Sequence, residues 1–180
     1  MGGTGQDATR AIGDVMAVVQ DGTAAHLRTE FGLDARAGGA GVIDVHRLPL
    51  RDVTAMVGIG GVLNAFVAMT FDRRLIDRIA ALLTADLDVS EMDPQELRED
   101  AAGEVVNTIA GNATAHLDGG GQPLTLTPPV AFADSKAVCR DRDAICWTAA
   151  VATDSGELDL TVLGADPANG GPARQTGDAG

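Results

Sequence analysis

Apolar residues recur every three or four positions in three segments of the chain, the period of α-helices that bury one face. The first helix is predicted from a cap at Asp7 to about Leu27, and the second follows a cap at Asp72. The third begins at Asp93, with proline at the first helical position and glutamate at the third, and runs to about Leu117. The apolar positions of the first two helices are Ile12, Val15, Met16, Val19 and Ala24, and Leu75, Ile76, Ile79, Leu82 and Leu83.

The segments between these helices are rich in β-formers and are bounded by glycine-containing turns, which predicts two groups of three strands. A loop at Gly38-Gly39 precedes the first group, and an acidic linker at Thr84–Glu91 separates the second and third helices. The order α-βββ-α-α-βββ predicts an α+β fold, with helices packed on an antiparallel or mixed sheet. The six predicted strands are Gly41–Leu50, Thr54–Ile59, Leu63–Phe71, Pro123–Phe132, Ala144–Thr153 and Glu157–Leu163.

The two ends of the 180-residue chain lack this periodicity. Residues 1–6 and 164–180 consist mainly of Gly, Pro, Ala and polar residues, so we expect disordered ends around a single domain at residues 7–163. The start of the chain has no signal-peptide pattern, and the longest apolar stretch, Met56–Met69, is too short and too glycine-rich to span a membrane. These features predict a cytoplasmic protein.

The charge of the chain narrows the classes of partner. Thirteen basic residues against 26 acidic ones give a formal net charge of −13, which argues against nucleic acid and against anionic membrane surfaces as partners. The three histidines, His26, His46 and His116, are far apart and show no metal-ligand spacing. We therefore expect no metal and no cofactor of the chain's own.

The third helix carries the candidate chemistry. Its apolar arc is predicted to face the core, and Asp100, Glu104, Asn107 and Gly111 line up on the opposite side. An amide does not titrate, but it can orient a water and donate to a phosphoryl oxygen, while a carboxylate can pair with a basic group of a partner. Gly111 leaves a low surface on which another molecule can approach. On spacing alone, a Glu-x-x-Asn pair on an exposed helix face is more often part of a solvated polar stripe than of a binding site.

The residues around Glu104 and Asn107 decide between these two interpretations, a site that acts on a partner and a solvated polar stripe. The stretch Glu99–Ala113 (EDAAGEVVNTIAGNA) resembles the signature helix of the CheC/CheX/FliY chemotaxis phosphatases, whose motif has the spacing of Asp100, Glu104 and Asn107. The resemblance extends over Asp7–Leu163 and includes a proline in the strand after the motif helix, here Pro128-Pro129. The first helix carries no second Glu-x-x-Asn, so the chain is most similar to the single-site CheX branch.

The resemblance implies a function. It implies hydrolysis of the aspartyl phosphate of a CheY-like response regulator, with Asn107 orienting the attacking water and Glu104 contacting the regulator's lysine. Asp100 and Gly111 are expected at the partner-binding surface, Mg²⁺ is expected on the regulator, and a homodimer is expected for the chain itself. The alternative is a non-catalytic CheX-like scaffold or adaptor that binds a response regulator or a motor switch component.

Overall fold

A broad antiparallel sheet covered on one face by helices organises the chain in the computed structural model, which describes residues 3–44, 47–61, 64–117, 124–139 and 144–165. The helices are α1 (Gly3–Thr29), α2 (Arg73–Leu83) and α3 (Pro94–Leu117). The strands are β1 (Arg36–Val42), β2 (Arg47–Pro49), β3 (Val53–Gly60), β4 (Ala65–Phe71), β5 (Thr125–Leu126), β6 (Val130–Ala133), β7 (Ala137–Cys139), β8 (Ala144–Thr153) and β9 (Gly156–Ala165).

Within the described ranges, seven strands form the main sheet in the order β1-β8-β9-β4-β3-β5, and β6 also pairs with β3. All of the pairings are antiparallel. Strands β2 and β7 form a separate two-stranded sheet. The predicted α+β class is thereby confirmed, and the sheet is antiparallel rather than mixed.

The core lies between the inner face of this sheet and the helices. The alternate apolar residues of β3 and β4 that face the helices are almost completely buried, as expected for the covered face of a sheet. Thr54 and Thr70 between them are also buried. Helix α1 crosses the β8 side of the sheet, where the indole Nε1 of Trp147 donates to the backbone oxygen of Thr9 at 3.1 Å. None of the described helices is both long and apolar enough to cross a membrane.

Two predicted strands are divided in the structure. The predicted strand Gly41–Leu50 is in fact the end of β1 followed by β2, and the glycines at 38 and 39, predicted as a loop, lie inside β1. A register shift between Ala37 and Ala40 accommodates them, and the Gln20 amide donates to the Gly38 oxygen at 2.9 Å. A bulge in an edge strand tolerates glycine. Here the hydrogen bond that stabilises it comes from Gln20 of α1, which is distant in sequence.

The predicted strand Pro123–Phe132 is divided into β5 and β6, and β7 was not predicted. The break falls at Pro128-Pro129, because proline has no N–H to contribute to a strand ladder. The remaining strand and helix bounds agree within a few residues with those predicted. The sequence also predicts a helix stop at Gly119–Gly121 and a hairpin turn at Arg140–Asp143, and both segments lie outside the described residues.

The ends of the domain differ slightly from the prediction. Helix α1 begins at Gly3, so residues 3–6, predicted to be disordered, are helical, and Asp7 lies within the first turns rather than at the cap. A long helix anchored by its buried face extends at little cost, even through weak helix formers. Strand β9 continues to Ala165, and residues 166–180 lie outside the described part of the chain.

Asp72 joins α2 to the sheet. Its Oδ1 accepts from the Leu75 N–H at 2.8 Å, which confirms the predicted cap, and its Oδ2 accepts from the Glu157 N–H at 2.7 Å. Its own N–H donates to the Glu157 oxygen at 3.0 Å. Gly156 has a φ of +139°, and a Cβ at this position would overlap the Asp72 carboxylate. The carboxylate therefore fixes the start of α2 on the β8–β9 turn.

We expect Asp72→Ala to lower the free energy of unfolding by about 2 kcal/mol, because it removes a helix cap and leaves two backbone donors without their acceptor. Asp72→Asn should lose about half as much, because its amide keeps one acceptor oxygen. Urea denaturation monitored by circular dichroism measures both values. Equal stability of wild type and Asp72→Ala would contradict the role of this residue.

Candidate functional site: a cleft beside α3

Helix α3 starts as its sequence predicts. Pro94 is its first residue, and the Asp93 carboxylate accepts from the Gln95 N–H at 2.7 Å. In the second turn of α3, Arg98 forms an ion pair with Asp77 of α2 (Nε to Oδ1, 2.5 Å), which holds the two helices together. The Asp93 carboxylate therefore caps the start of α3, and the Arg98–Asp77 ion pair holds the helix against α2.

The rotation of α3 about its axis follows from its apolar arc. Ala102, Val105, Val106, Ile109 and Ala113 are buried against the sheet and α1, and Leu117 is partly buried. The opposite side carries Asp100, Glu104 and Asn107, which are all exposed. The predicted division of this helix into a core face and an outward polar face is confirmed.

These three polar residues open onto a cleft of about 430 Å³. One wall of the cleft is α3, and the other is formed by Pro129 and Ala131 at the start of β6. The cleft is therefore built from two segments more than twenty residues apart in sequence. It is lined by Glu99, Asp100, Gly103, Glu104, Asn107, Pro129 and Ala131.

Gly111 is not among the lining residues. It lies half-buried, and a Cβ at this position would meet the Leu126 Cδ1 of β5 at 4.0 Å. The glycine that borders the cleft is Gly103, which was not singled out from the sequence although it lies within the motif stretch. Pro129 belongs to the proline pair that follows the motif helix in the sequence, whereas nothing in the sequence marks Ala131.

The cleft is acidic. Glu99, Asp100 and Glu104 line it, and none of the three takes part in the ion pairs found among the described residues. Glu99 accepts from the Gln95 amide at 3.0 Å, and the Thr108 hydroxyl lies 3.5 Å from a Glu104 oxygen. The cleft therefore presents several carboxylates and one neutral amide to a partner.

The end of α1 lies close enough to this site to sense its charge. Burial lowers the pKa of His26, and the negative charges of Glu30 and Glu104 act in the opposite direction. The His26 ring meets Phe31 edge-on, with 5.4 Å between the ring centres. His116 is exposed near the end of α3, and His46 lies outside the described residues. In the described ranges, no three His, Cys, Asp or Glu residues gather into a metal site.

This arrangement can orient a water and bind a cation of another molecule, and the residues that line the cleft include no Ser, Cys or His side chain. Asn107 is exposed with one side-chain oxygen to accept and one nitrogen to donate. Glu104, nearly one turn earlier, supplies a negative charge beside it. The site therefore fits chemistry on a group that a partner brings into the cleft.

Comparison with known proteins gives the class. The family model described as "Chemotaxis phosphatase CheX" matches residues 53–148, a range that contains α3 and the β6 wall of the cleft. This range is more than half of the chain, and the chain belongs to the CheX family. No curated protein matches it in sequence.

Solved structures share the fold. A chemotaxis protein CheX from Desulfovibrio desulfuricans superposes with a TM-score of 0.73 at 23% identity, covering 83% of this chain and 98% of that one. CheX in a CheX–CheY–BeF₃–Mg²⁺ complex from Borrelia burgdorferi gives 0.69 at 18% identity, covering 83% and 97%. FliY from Thermotoga maritima gives 0.54 at 15% identity, covering 88% and 90%.

The electrostatic influence of Glu104 on His26 can be tested. We expect the pKa of His26 to lie below its ordinary value of 6.5, and Glu104→Gln to lower it further by removing a negative charge. Because the folded state disfavours the charged imidazole, this group makes the protein less stable as the pH falls below about 6.5. NMR titration of the His26 ring reports the pKa.

Glu30→Gln should lower the same pKa, and Glu91→Gln should leave it unchanged, because Glu91 does not contribute to the shift. If Glu104→Gln leaves the His26 pKa where it was, the end of α1 does not sense the cleft.

Proposed function

We propose that this chain is a phosphatase that hydrolyses the aspartyl phosphate of a CheY-like response regulator. The observation that carries the proposal is the exposed pair Glu104 and Asn107 at the edge of an acidic cleft, in a chain of the CheX family. A CheX in complex with CheY, BeF₃ and Mg²⁺ supports the kind of partner. A regulator of this kind also favours a cytoplasmic location, and a homodimer remains part of the proposal.

In the proposed mechanism Asn107 extends from α3 into the regulator's phosphorylated site. Its amide oxygen accepts a hydrogen bond from a water placed in line with the bond between phosphorus and the aspartyl oxygen. Attack by this water breaks that bond and releases inorganic phosphate and a free aspartate. Such a reaction depends on the position of the water and on charge stabilisation, which a neutral amide can provide without accepting the proton.

Glu104 is proposed to pair with a lysine beside the regulator's phosphate and so to set the position of Asn107. Asp100 adds negative charge to the same surface. The Mg²⁺ that neutralises the phosphoryl oxygens belongs to the regulator in this proposal. Gly111 does not line the cleft, but it is only half-buried on the same helix and stays a proposed part of the partner-binding surface. The alternative, a scaffold that binds a regulator without hydrolysis, would need Glu104 but would have no use for the Asn107 amide.

We expect Asn107→Ala to reduce the catalysed decay of a phosphorylated CheY-type regulator by about 10²-fold, the usual effect of misplacing or losing one orienting group. The decay is followed with regulator labelled by a ³²P phosphodonor. Asn112→Ala is the matched control, because Asn112 is exposed on the same helix and does not line the cleft. Identical rates for wild type and Asn107→Ala would exclude the catalytic role and leave the scaffold.

We expect Glu104→Lys to weaken binding of a beryllofluoride-activated regulator roughly tenfold or more, because it replaces an attractive charge with a repulsive one. Glu91→Lys makes the same change of charge at an exposed position outside the cleft and should bind like wild type. Isothermal titration calorimetry gives both affinities. Equal affinity of Glu104→Lys and wild type would remove the docking role of Glu104.

A further inference from the structure

Gly103 is the residue of α3 that lies at the floor of the cleft without contributing a side chain. It lines the cleft together with Glu99 and Asn107, which stand one turn before it and one turn after it on the same helix ridge. Across the cleft its neighbour is Pro129. The helix therefore has a gap in its row of side chains directly beside the amide proposed to orient the water.

Packing does not demand glycine at this position. A Cβ on Gly103 would meet Pro129 Cγ at 3.9 Å and Cβ at 4.0 Å, which is ordinary van der Waals contact. Gly13 of α1 is different, because a Cβ there would come within 2.8 Å of the Trp147 ring. Glycine inside a helix is less stable than alanine, so an alanine at 103 would fit and would favour the helix.

The position of Gly103 matters for Asn107. Side chains of an α-helix lean toward its N-terminus, so a residue covers the surface over the preceding turn. The side chain of Asn107 therefore leans toward the turn of α3 that contains Gly103. Only Pro129 atoms come within 4 Å of a Cβ built at Gly103, so the space between this position and the amide is open. A methyl group at 103 would narrow the cleft that Gly103 lines together with Asn107, and a longer side chain would fill the passage toward Pro129.

We infer that Gly103 is a positioning residue: its missing side chain leaves room for the Asn107 amide to adopt the conformation that orients the attacking water. The inference rests on the proposed phosphatase function and goes beyond it, because it assigns a role to a residue that makes no polar contact. It also implies that the residue at position 103, on the α3 side of the cleft, has to be small.

The test compares Gly103→Ala with wild type for three properties: thermal unfolding, affinity for a beryllofluoride-activated regulator, and the kcat and KM for decay of the phosphorylated regulator. We expect the unfolding midpoint to stay equal or rise, the affinity to change by less than about threefold, and kcat to fall about tenfold. Gly103→Leu should lower kcat further and weaken binding as well.

Gly22→Ala is the matched control. Gly22 is a helical glycine whose Cβ would meet only Ile109 Cγ2 at 4.0 Å, and it does not line the cleft. It gains the same helix preference, so its kcat should equal that of wild type.

The outcomes separate the two proposals. Wild-type protein that neither binds the activated regulator nor speeds its decay overturns both. Active wild type with an equal kcat for Gly103→Ala overturns the role of Gly103 alone. A Gly103→Ala variant that loses kcat together with its unfolding midpoint indicates a structural role for the glycine and also overturns the inference.

Discussion

The burial of one face of α3 is the constraint on which the rest of the site depends. Val105, Val106 and Ile109 are 2% exposed or less, and each contributes on the order of 2 kcal/mol of hydrophobic stabilisation. Rotating the helix would expose these side chains and bury the Glu104 carboxylate, which is costly without a partner. The core therefore holds the polar residues outward, although none of them takes part in it.

The same packing supplies the second wall of the cleft. Strand β3 lies beneath α3 and also pairs with β6, through the register Ala55 to Ala131. The proline pair interrupts the strand ladder just before β6, so the chain approaches α3 at Pro129 instead of continuing as a flat strand. A cleft between helix and sheet edge results, and its acidic lining is complementary to a basic partner site.

This construction suits the proposed action on another protein's phosphoryl group. The chain supplies a rigid ridge with a carboxylate and an amide, and the proposed regulator supplies the phosphate, its lysine and its metal. A site of this kind needs an exposed, precisely oriented helix face more than a deep pocket. The missing side chain at Gly103 fits this arrangement, because Asn107 protrudes from the helix and needs free space beside it as well as support.

The sequence by itself determined what depends on local spacing. This includes the caps at Asp72 and Asp93, the core and polar faces of α3, the approximate bounds of β3, β4, β8 and β9, and the spacing of the motif residues Glu104 and Asn107. Only the tertiary structure decided that the glycines at 38 and 39 belong to a bulged edge strand, that Pro129 and Ala131 face the motif helix, and that Gly103 rather than Gly111 borders the cleft. The physical reason is that helix periodicity and capping are set by neighbours along the chain. The cleft instead depends on which strand pairs with β3, a contact between residues far apart in sequence.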